Sequence, residues 1–228
     1  MSVVTIAIVL AATAFGQAAP PAARDPQALS LLSQSLAAMT KGPAIQDIKL
    51  QAQVTRTAGS ETDTGSAVLQ AGAYDKSNIN FVFSSGPRSE IRNGTGGLWS
   101  GADAQSHAIA MHNALTAAAW FSPALVIQTW IQDSSFSLAY VGPEDRDGTV
   151  VQHIRTSHNL VVSCTPDIAT ETAQLTAMDI YLDSKSLLPV TLEFNTHSDT
   201  TTVRLTARGP LASHSGAESC AGFHLAAI

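Results

Sequence analysis

The chain has 228 residues and is poor in charge, in cysteine and in long apolar runs. Only 13% of its residues are charged, well below the roughly one quarter that is typical of soluble domains. The net charge of −6 argues against nucleic-acid binding, which normally needs a basic patch. No apolar run reaches the about 20 residues that a membrane-spanning helix requires. One domain is the default for a chain of this length.

Catalytic motifs are also missing from the sequence. The nucleophile elbow G-x-S-x-G, the zinc motif H-E-x-x-H and the glycine-rich phosphate loops do not occur. The acidic residues Glu144, Asp145 and Asp147 cluster in one turn, and a solvated turn accounts for them better than a pair of catalytic acids. We therefore predict a protein that is not an enzyme and has no cofactor.

The seven histidines do not predict a metal site. His107 and His112 are five residues apart, and so are His153 and His158. On a strand, this odd spacing places the two side chains on opposite faces, so the two histidines of a pair cannot share one ligand set. Solvent-facing or hydrogen-bonded histidines are the better interpretation.

The N-terminus, "MSVVTIAIVLAATAFGQAAPPAARDP", resembles a secretory signal peptide. An uncharged apolar run from residue 3 to residue 15 leads into small residues, with cleavage expected after Gly16 or Ala19. The run lacks the usual preceding Lys or Arg, and a buried first helix is the alternative. We predict a signal peptide over residues 1–19 and a periplasmic or secreted location. After export, Cys164 and Cys220 could pair or could remain free thiols.

Two segments have helical character. Asp25-Pro26 supplies an N-cap and a first helical residue, apolar residues then recur at helical spacing, and Gly42-Pro43 ends the segment. The second segment, "ALTAAAWFSPALVIQTWIQ", is strongly apolar, and Ser122-Pro123 is expected to begin a short helix within it.

Most of the remaining chain alternates between apolar and polar residues, which is typical of half-buried strands. The alternation is visible in "IKLQAQVTRT", "TGSAVLQA", "NINFVFS", "SEIRN" and "LWSG", and it resumes in "SFSLAYVG" and "TVVQHIRTSH", where Asp147-Gly148 predicts a hairpin turn. A last hairpin, "DIYLDSKSLLPVTLEF", follows, in which Asp183 and Ser186 are expected to shape the turn by local hydrogen bonds. Beyond residue 197 the pattern degrades. We expect residues 198–228 to form an irregular tail, either frayed or the product of a truncation or frameshift.

This order of elements predicts an α+β fold. One antiparallel sheet would hold the N-terminal helix and the short mid-chain helix against its concave face, because both helices and most strands have a single apolar face.

At this point the sequence resembles a known family, the LolA/LolB-like periplasmic lipoprotein carriers. Four stretches carry the resemblance: "ALSLLSQSLAAMTKGPAIQDIKLQAQVT", "SEIRNGTGGLWSG", "YVGPEDRDGTVVQHIR" and "IYLDSKSLLPVTLEF". The resemblance covers about residues 25–197 and implies a half-barrel sheet wrapped around helices, with an apolar cavity between them.

The implied function is binding of a lipid, an acyl chain or a lipoprotein in that cavity. The predicted lining consists of apolar and aromatic residues, although an ordinary core is the alternative for any one of them; the residues are Ile48, Leu50, Val54, Phe81, Phe83, Trp99, Trp120, Phe121 and Trp130. A second hypothesis is an envelope sensor or scaffold that uses the same sheet to bind a protein partner without lipid cargo.

Overall fold

The computed structural model describes residues 23–41, 44–58, 60–109, 114, 116–159, 173–196, 199–208, 211–218 and 223–227. The predicted signal peptide and both cysteines, Cys164 and Cys220, lie outside these residues, and so does His112. The secretion and disulfide predictions therefore stay predictions.

Two helices are present where the sequence predicts them. Helix α1 spans Pro26–Thr40, and the Asp25 carboxylate caps it by accepting hydrogen bonds from the backbone N–H groups of Gln27 and Ala28. The helix ends at Lys41, whose backbone is left-handed with φ 55°. Helix α2 spans Pro123–Gln132. It packs against α1, which also contacts strand β7, defined below. In the described part of the chain, neither helix is long and apolar enough to cross a bilayer.

Thirteen strands are described, and they form two antiparallel sheets. The first sheet has the order β13-β1-β2-β3-β4-β5-β6 and the second has the order β12-β11-β10-β9-β8-β7. The strand bounds are β1 Ile48–Ala58, β2 Glu61–Ala73, β3 Lys76–Phe83, β4 Gly86–Asn93, β5 Gly96–Ser100, β6 Ser106–Ala108, β7 Phe136–Arg146, β8 Thr149–His158, β9 Met178–Asp183, β10 Pro189–Thr196, β11 Asp199–Arg208, β12 Leu211–Glu218 and β13 Phe223–Ala227.

The predicted α+β class is confirmed, with sheets around an N-terminal helix and a mid-chain helix. The strands form two hydrogen-bonded sheets, however, and not the single sheet that the sequence predicted. The chain passes from the second sheet to the first between β12 and β13, which come into contact. Strand β13 then pairs with β1, with Val54 opposite Leu225.

The C-terminal segment differs from the sequence expectation. Where an irregular tail was predicted for residues 198–228, the described residues form β11, β12 and β13. These strands are rich in Thr, Ser, Ala and His, so their period of two is not visible as an alternation of apolar and polar residues.

Two predicted hairpins are confirmed with their turn chemistry. Asp147 and Gly148 both have positive φ, 53° and 78°, and join β7 to β8 as a two-residue turn. Strand β7 therefore continues through residues 143–146, which the sequence pattern had assigned to the turn. In the β9–β10 turn, Asp183 Oδ1 accepts hydrogen bonds from the backbone N–H of Lys185 and from the N–H and hydroxyl of Ser186.

The core lies between the two sheets and around both helices. Alternate residues of β3, Ile79, Phe81 and Phe83, are buried on one face, while Val82 is exposed on the other. The second sheet contributes Ile154, Ile180 and Leu192 from neighbouring strands to the same buried cluster, and α1 and α2 also contribute to it.

Candidate functional site

Most of the residues predicted to line a ligand cavity lie in the hydrophobic core. Val54, Phe81, Phe83, Phe121 and Trp130 are buried members of the core cluster. Ile48, Leu50 and Trp120 are partly buried and pack against it. The structure thus brings eight of these side chains into one packed core, and their role in ligand binding stays a prediction.

Trp99 lies outside that core. Cross-strand register places Glu90 of β4 opposite Trp99 of β5, and Trp99 opposite His107 of β6. The Trp99 ring stacks on the His107 ring at a centroid distance of 4.3 Å, and the Arg88 guanidinium carbon lies 5.0 Å from the Trp99 centroid. Burial lowers the pKa of Arg88. The nearby Glu90 carboxylate acts in the opposite direction, and the positive charge of Arg56 lowers this pKa further. Trp99 therefore belongs to a polar, cationic part of the first sheet.

A cavity of about 330 Å³ is present at one end of the molecule, and we call it the end cavity. Its walls come from turn and strand-end residues of both sheets and from α2. The larger lining residues are Tyr74, Asp75, Thr129, Asp133, Phe136 and His158, and the smaller ones are Ala73, Gly94, Thr95, Ala114 and Thr116. None of the nine residues predicted from the sequence lines it.

Backbone hydrogen bonds hold the segments of the end cavity together. The N–H of Gly94, in the β4–β5 turn, donates to the carbonyl oxygen of Asp75 at 2.9 Å. The N–H of Ala118 donates to the carbonyl oxygen of Tyr74 at 3.0 Å, which fixes the segment before α2 against the end of β2. Segments that are distant in the sequence thus meet at one place through main-chain contacts.

The floor of the end cavity is apolar and aromatic. The rings of Tyr74 and Phe136 meet edge to face at 5.1 Å, and His158 stacks on Phe136 at 4.2 Å. The Tyr74 hydroxyl donates to Met178 Sδ at 3.8 Å, and burial raises the pKa of this phenol well above its ordinary value. Since Tyr74 and Phe136 also belong to the core cluster, the cavity opens directly onto the hydrophobic interior.

Charged and polar groups surround this floor. Burial lowers the pKa of His158, although the carboxylates of Asp133 and Asp75 act in the opposite direction. Burial raises the pKa of Asp133, but hydrogen bonds from Ser135 and the charges of His158 and Arg24 outweigh it, so the net shift is downward. At neutral pH the cavity therefore presents carboxylates beside an uncharged imidazole.

Arg24 stabilises the helix end that forms one wall of the cavity. Its guanidinium donates to the carbonyl oxygens of Trp130, Ile131 and Asp133 at 2.8, 2.9 and 2.7 Å. These carbonyl groups at the C-terminus of α2 otherwise lack intrahelical partners. Thr129 and Asp133 are thereby held at the rim.

The outer face of the second sheet carries a network of charged side chains. His153 Nε2 lies 2.7 Å from Asp179 Oδ1, and Arg155 also donates to the Asp179 carboxylate. His153 thus lies on a different face from His158, as the odd spacing predicted. Within the described ranges, no group of three or more His, Cys, Asp and Glu side chains is arranged to hold a metal ion.

Comparison with solved structures identifies the fold. The chain is similar to a DUF1329 family protein from Desulfovibrio piger, with 9% identity, a TM-score of 0.53, and coverage of 88% of this chain and 89% of that one. It is equally similar to a putative outer membrane lipoprotein-sorting protein domain from Vibrio parahaemolyticus, with 11% identity, a TM-score of 0.53 and 88% and 90% coverage. A LolA superfamily protein from Nitrosomonas europaea aligns with 9% identity, a TM-score of 0.53 and 87% and 90% coverage.

The chain therefore has a LolA-like fold, and the resemblance read from the sequence is confirmed. No family model and no curated protein matches the chain at the level of sequence.

Sequence reasoning did not find the end cavity. Its polar residues lie in turns and at strand ends, where no periodic pattern marks them. The available signal is weak: Tyr74-Asp75 and the "NGTGG" stretch both follow predicted strands, so their positions at one end of the sheet could have been inferred from an antiparallel meander.

Proposed function

We propose that this protein is an exported, non-enzymatic binder of a hydrophobic ligand, such as a lipid, an acyl chain or the acylated end of a lipoprotein. The end cavity is the observation that carries the proposal, because it joins an opening at the surface to the apolar interior. Its volume of about 330 Å³ is at the lower end of the roughly 300–1,000 Å³ range of ligand sites. A cavity of this volume suits the end of one acyl chain rather than a bulky lipid.

The packing of the core restricts how such a ligand binds. Phe81, Phe121 and Trp130 are buried among their neighbours. A long acyl chain can therefore bind along the inner face of the sheets only if α1 or α2 moves. The end cavity accepts an apolar group without that movement. Burial of apolar surface, at about 25 cal/mol per Å², provides the driving force.

The location of this function is part of the proposal. The signal-like N-terminus supports export to the periplasm or beyond. The LolA-like fold is compatible with this location, and one structural neighbour is described as a putative outer membrane lipoprotein-sorting protein domain.

The experiment has two parts. Native mass spectrometry and solvent extraction of the purified protein are expected to detect co-purifying lipid, and calorimetry is expected to detect binding of 1-octanol, an uncharged amphiphile. Replacing Thr129 with Phe adds a ring to the cavity wall and should abolish octanol binding, since Thr129 contributes only a bond from its hydroxyl to the Leu125 carbonyl oxygen.

Gln132→Phe is the matched control for this variant. Gln132 is exposed on the same helix and does not line the cavity, so the same added ring should leave binding unchanged. A wild-type protein that is consistently empty and binds no octanol would refute the proposed function.

A second candidate function has its own observation. Ile91 of β4 and Leu98 of β5 face each other across the strands and are 49% and 51% exposed. An exposed apolar pair favours contact with another protein, as a sensor or scaffold would require. Recovery of one defined envelope protein by the wild type, and its loss in the double variant Ile91→Lys, Leu98→Lys, would support this candidate.

A further inference from the structure

One carboxylate in the end cavity lacks a partner among the described residues, and together with the apolar floor it indicates which ligand chemistry the cavity accepts. Asp75 lines the cavity, and its carboxylate makes no hydrogen bond or ion pair with another residue in the described ranges. Thr116 also lines the cavity, but its hydroxyl oxygen is fully buried, so a ligand in the cavity does not reach it. A carboxylate that a ligand desolvates and leaves unpaired costs free energy, so a ligand that brings a positive charge to Asp75 is favoured.

The charge of the cavity excludes anions and favours a cation. Two carboxylates, Asp75 and Asp133, line it, and among the described residues no Lys or Arg side chain does. The charge of Arg24 acts on Asp133, but the Arg24 guanidinium donates to three backbone carbonyl oxygens at the end of α2. Asp133 Oδ1 in turn accepts hydrogen bonds from the N–H and hydroxyl of Ser135. Asp75 is therefore the lining carboxylate that has no hydrogen-bond partner among the described residues.

The apolar floor indicates that the cation carries a hydrocarbon part. Tyr74 and Phe136 form the aromatic surface beside these groups. A protonated primary amine is a compact cation with three N–H donors, which can donate to the oxygens of the Asp75 carboxylate. A metal ion is a poorer match, because the described residues offer no set of three suitable ligands.

We infer that the end cavity binds a protonated primary amine attached to a hydrocarbon chain, with the ammonium group at Asp75 and the chain against Tyr74 and Phe136. This inference rests on the proposed function, because it specifies the head group of the hydrophobic ligand. It makes Asp75 the residue that discriminates between ligands of equal chain length.

The test compares three eight-carbon amphiphiles at pH 7.5, octylamine, octanoate and 1-octanol, by calorimetry with the full chain. Octylamine should bind at least about tenfold more tightly than 1-octanol, as a close charge pair in a partly desolvated site allows. Octanoate should bind more weakly than 1-octanol. Ethylamine, which has the same head group without the chain, should bind too weakly to detect if the chain contributes as inferred.

Variants assign the effect to Asp75. Asp75→Asn should remove the preference for octylamine over 1-octanol. Glu61→Gln, at the opposite end of β2, removes the same charge far from the cavity and should change nothing.

The outcomes separate this inference from the proposed function. Binding of 1-octanol with no preference for octylamine, or a preference for octanoate, overturns the inference and leaves the proposed function standing. Tight binding of ethylamine overturns the requirement for a hydrocarbon chain. Absence of binding by all three eight-carbon compounds overturns both.

Discussion

The ring of His158 stacks on the ring of Phe136, with centroids 4.2 Å apart and planes 9° from parallel. This contact joins the end of β8 to the start of β7 and forms part of the floor of the end cavity. It also places an ionisable group on an aromatic surface, where its charged form is poorly solvated.

The first prediction is a loss of stability on acidification that depends on His158. Burial lowers the pKa of His158 in the folded protein, against the opposing charges of Asp133 and Asp75. The unfolded chain therefore binds a proton more readily, and the free energy of unfolding should fall as the pH drops below about 6.5. Thermal unfolding between pH 8 and pH 5 measures this slope.

His158→Gln should flatten that slope, because glutamine does not titrate. Equal slopes in the wild type and His158→Gln would contradict the assignment.

The second prediction separates a core tryptophan from one outside the core. Trp130 is fully buried in α2, so Trp130→Ala should lower the free energy of unfolding by about 3–5 kcal/mol. Trp99 contacts Arg88 and His107 but not the core cluster, so Trp99→Ala should cost only about 1 kcal/mol.

Urea unfolding followed by circular dichroism measures both values without relying on tryptophan fluorescence. If Trp99→Ala destabilises the protein as much as Trp130→Ala, then Trp99 is part of the packed interior and the division between the two environments is wrong.

The third prediction concerns the outer face of the second sheet. The Arg146 guanidinium carbon lies 3.4 Å from the centre of the Tyr181 ring, and its Nη1 is 2.6 Å from Glu193 Oε1. The Tyr181 hydroxyl donates to the same carboxylate at 3.0 Å. Because the Arg146 side chain is 32% exposed, we expect Arg146→Ala to cost about 1–3 kcal/mol.

Arg155→Ala provides the comparison for this prediction. Arg155 also pairs with a carboxylate, Asp179, but its side chain is 59% exposed, so the loss should be about 0–1 kcal/mol. Urea midpoints for both variants measure the difference. A larger cost for Arg155→Ala than for Arg146→Ala would show that exposure does not decide the strength of these pairs.

Much of the fold could be predicted because its strands have one apolar and one polar face. The alternation in "NINFVFS" predicted β3, and the apolar spacing after Asp25-Pro26 predicted α1. Strands β11 to β13 lack this signal, because their sequences are dominated by small and polar residues. Pairing with strands that are distant in the sequence, such as β13 with β1, leaves no local pattern.

The candidate site could be predicted less well, for two physical reasons. Alternation marks a side chain as buried but does not distinguish contact with a ligand from contact with the core. Phe81 and Trp130 lie in the core, and their role in ligand binding stays a prediction. The residues of the end cavity, such as Asp75 and His158, meet only after both sheets have formed.

The most direct test of the proposed function is photo-crosslinking with an eight-carbon alcohol that carries a diazirine at the end of its chain, followed by peptide mapping. We predict adducts on residues of the end cavity, with Tyr74, Thr129 and Phe136 as the expected sites. Excess 1-octanol should suppress them. Adducts confined to the exposed pair Ile91 and Leu98, or no specific adduct at all, would contradict binding of a hydrophobic ligand in the end cavity.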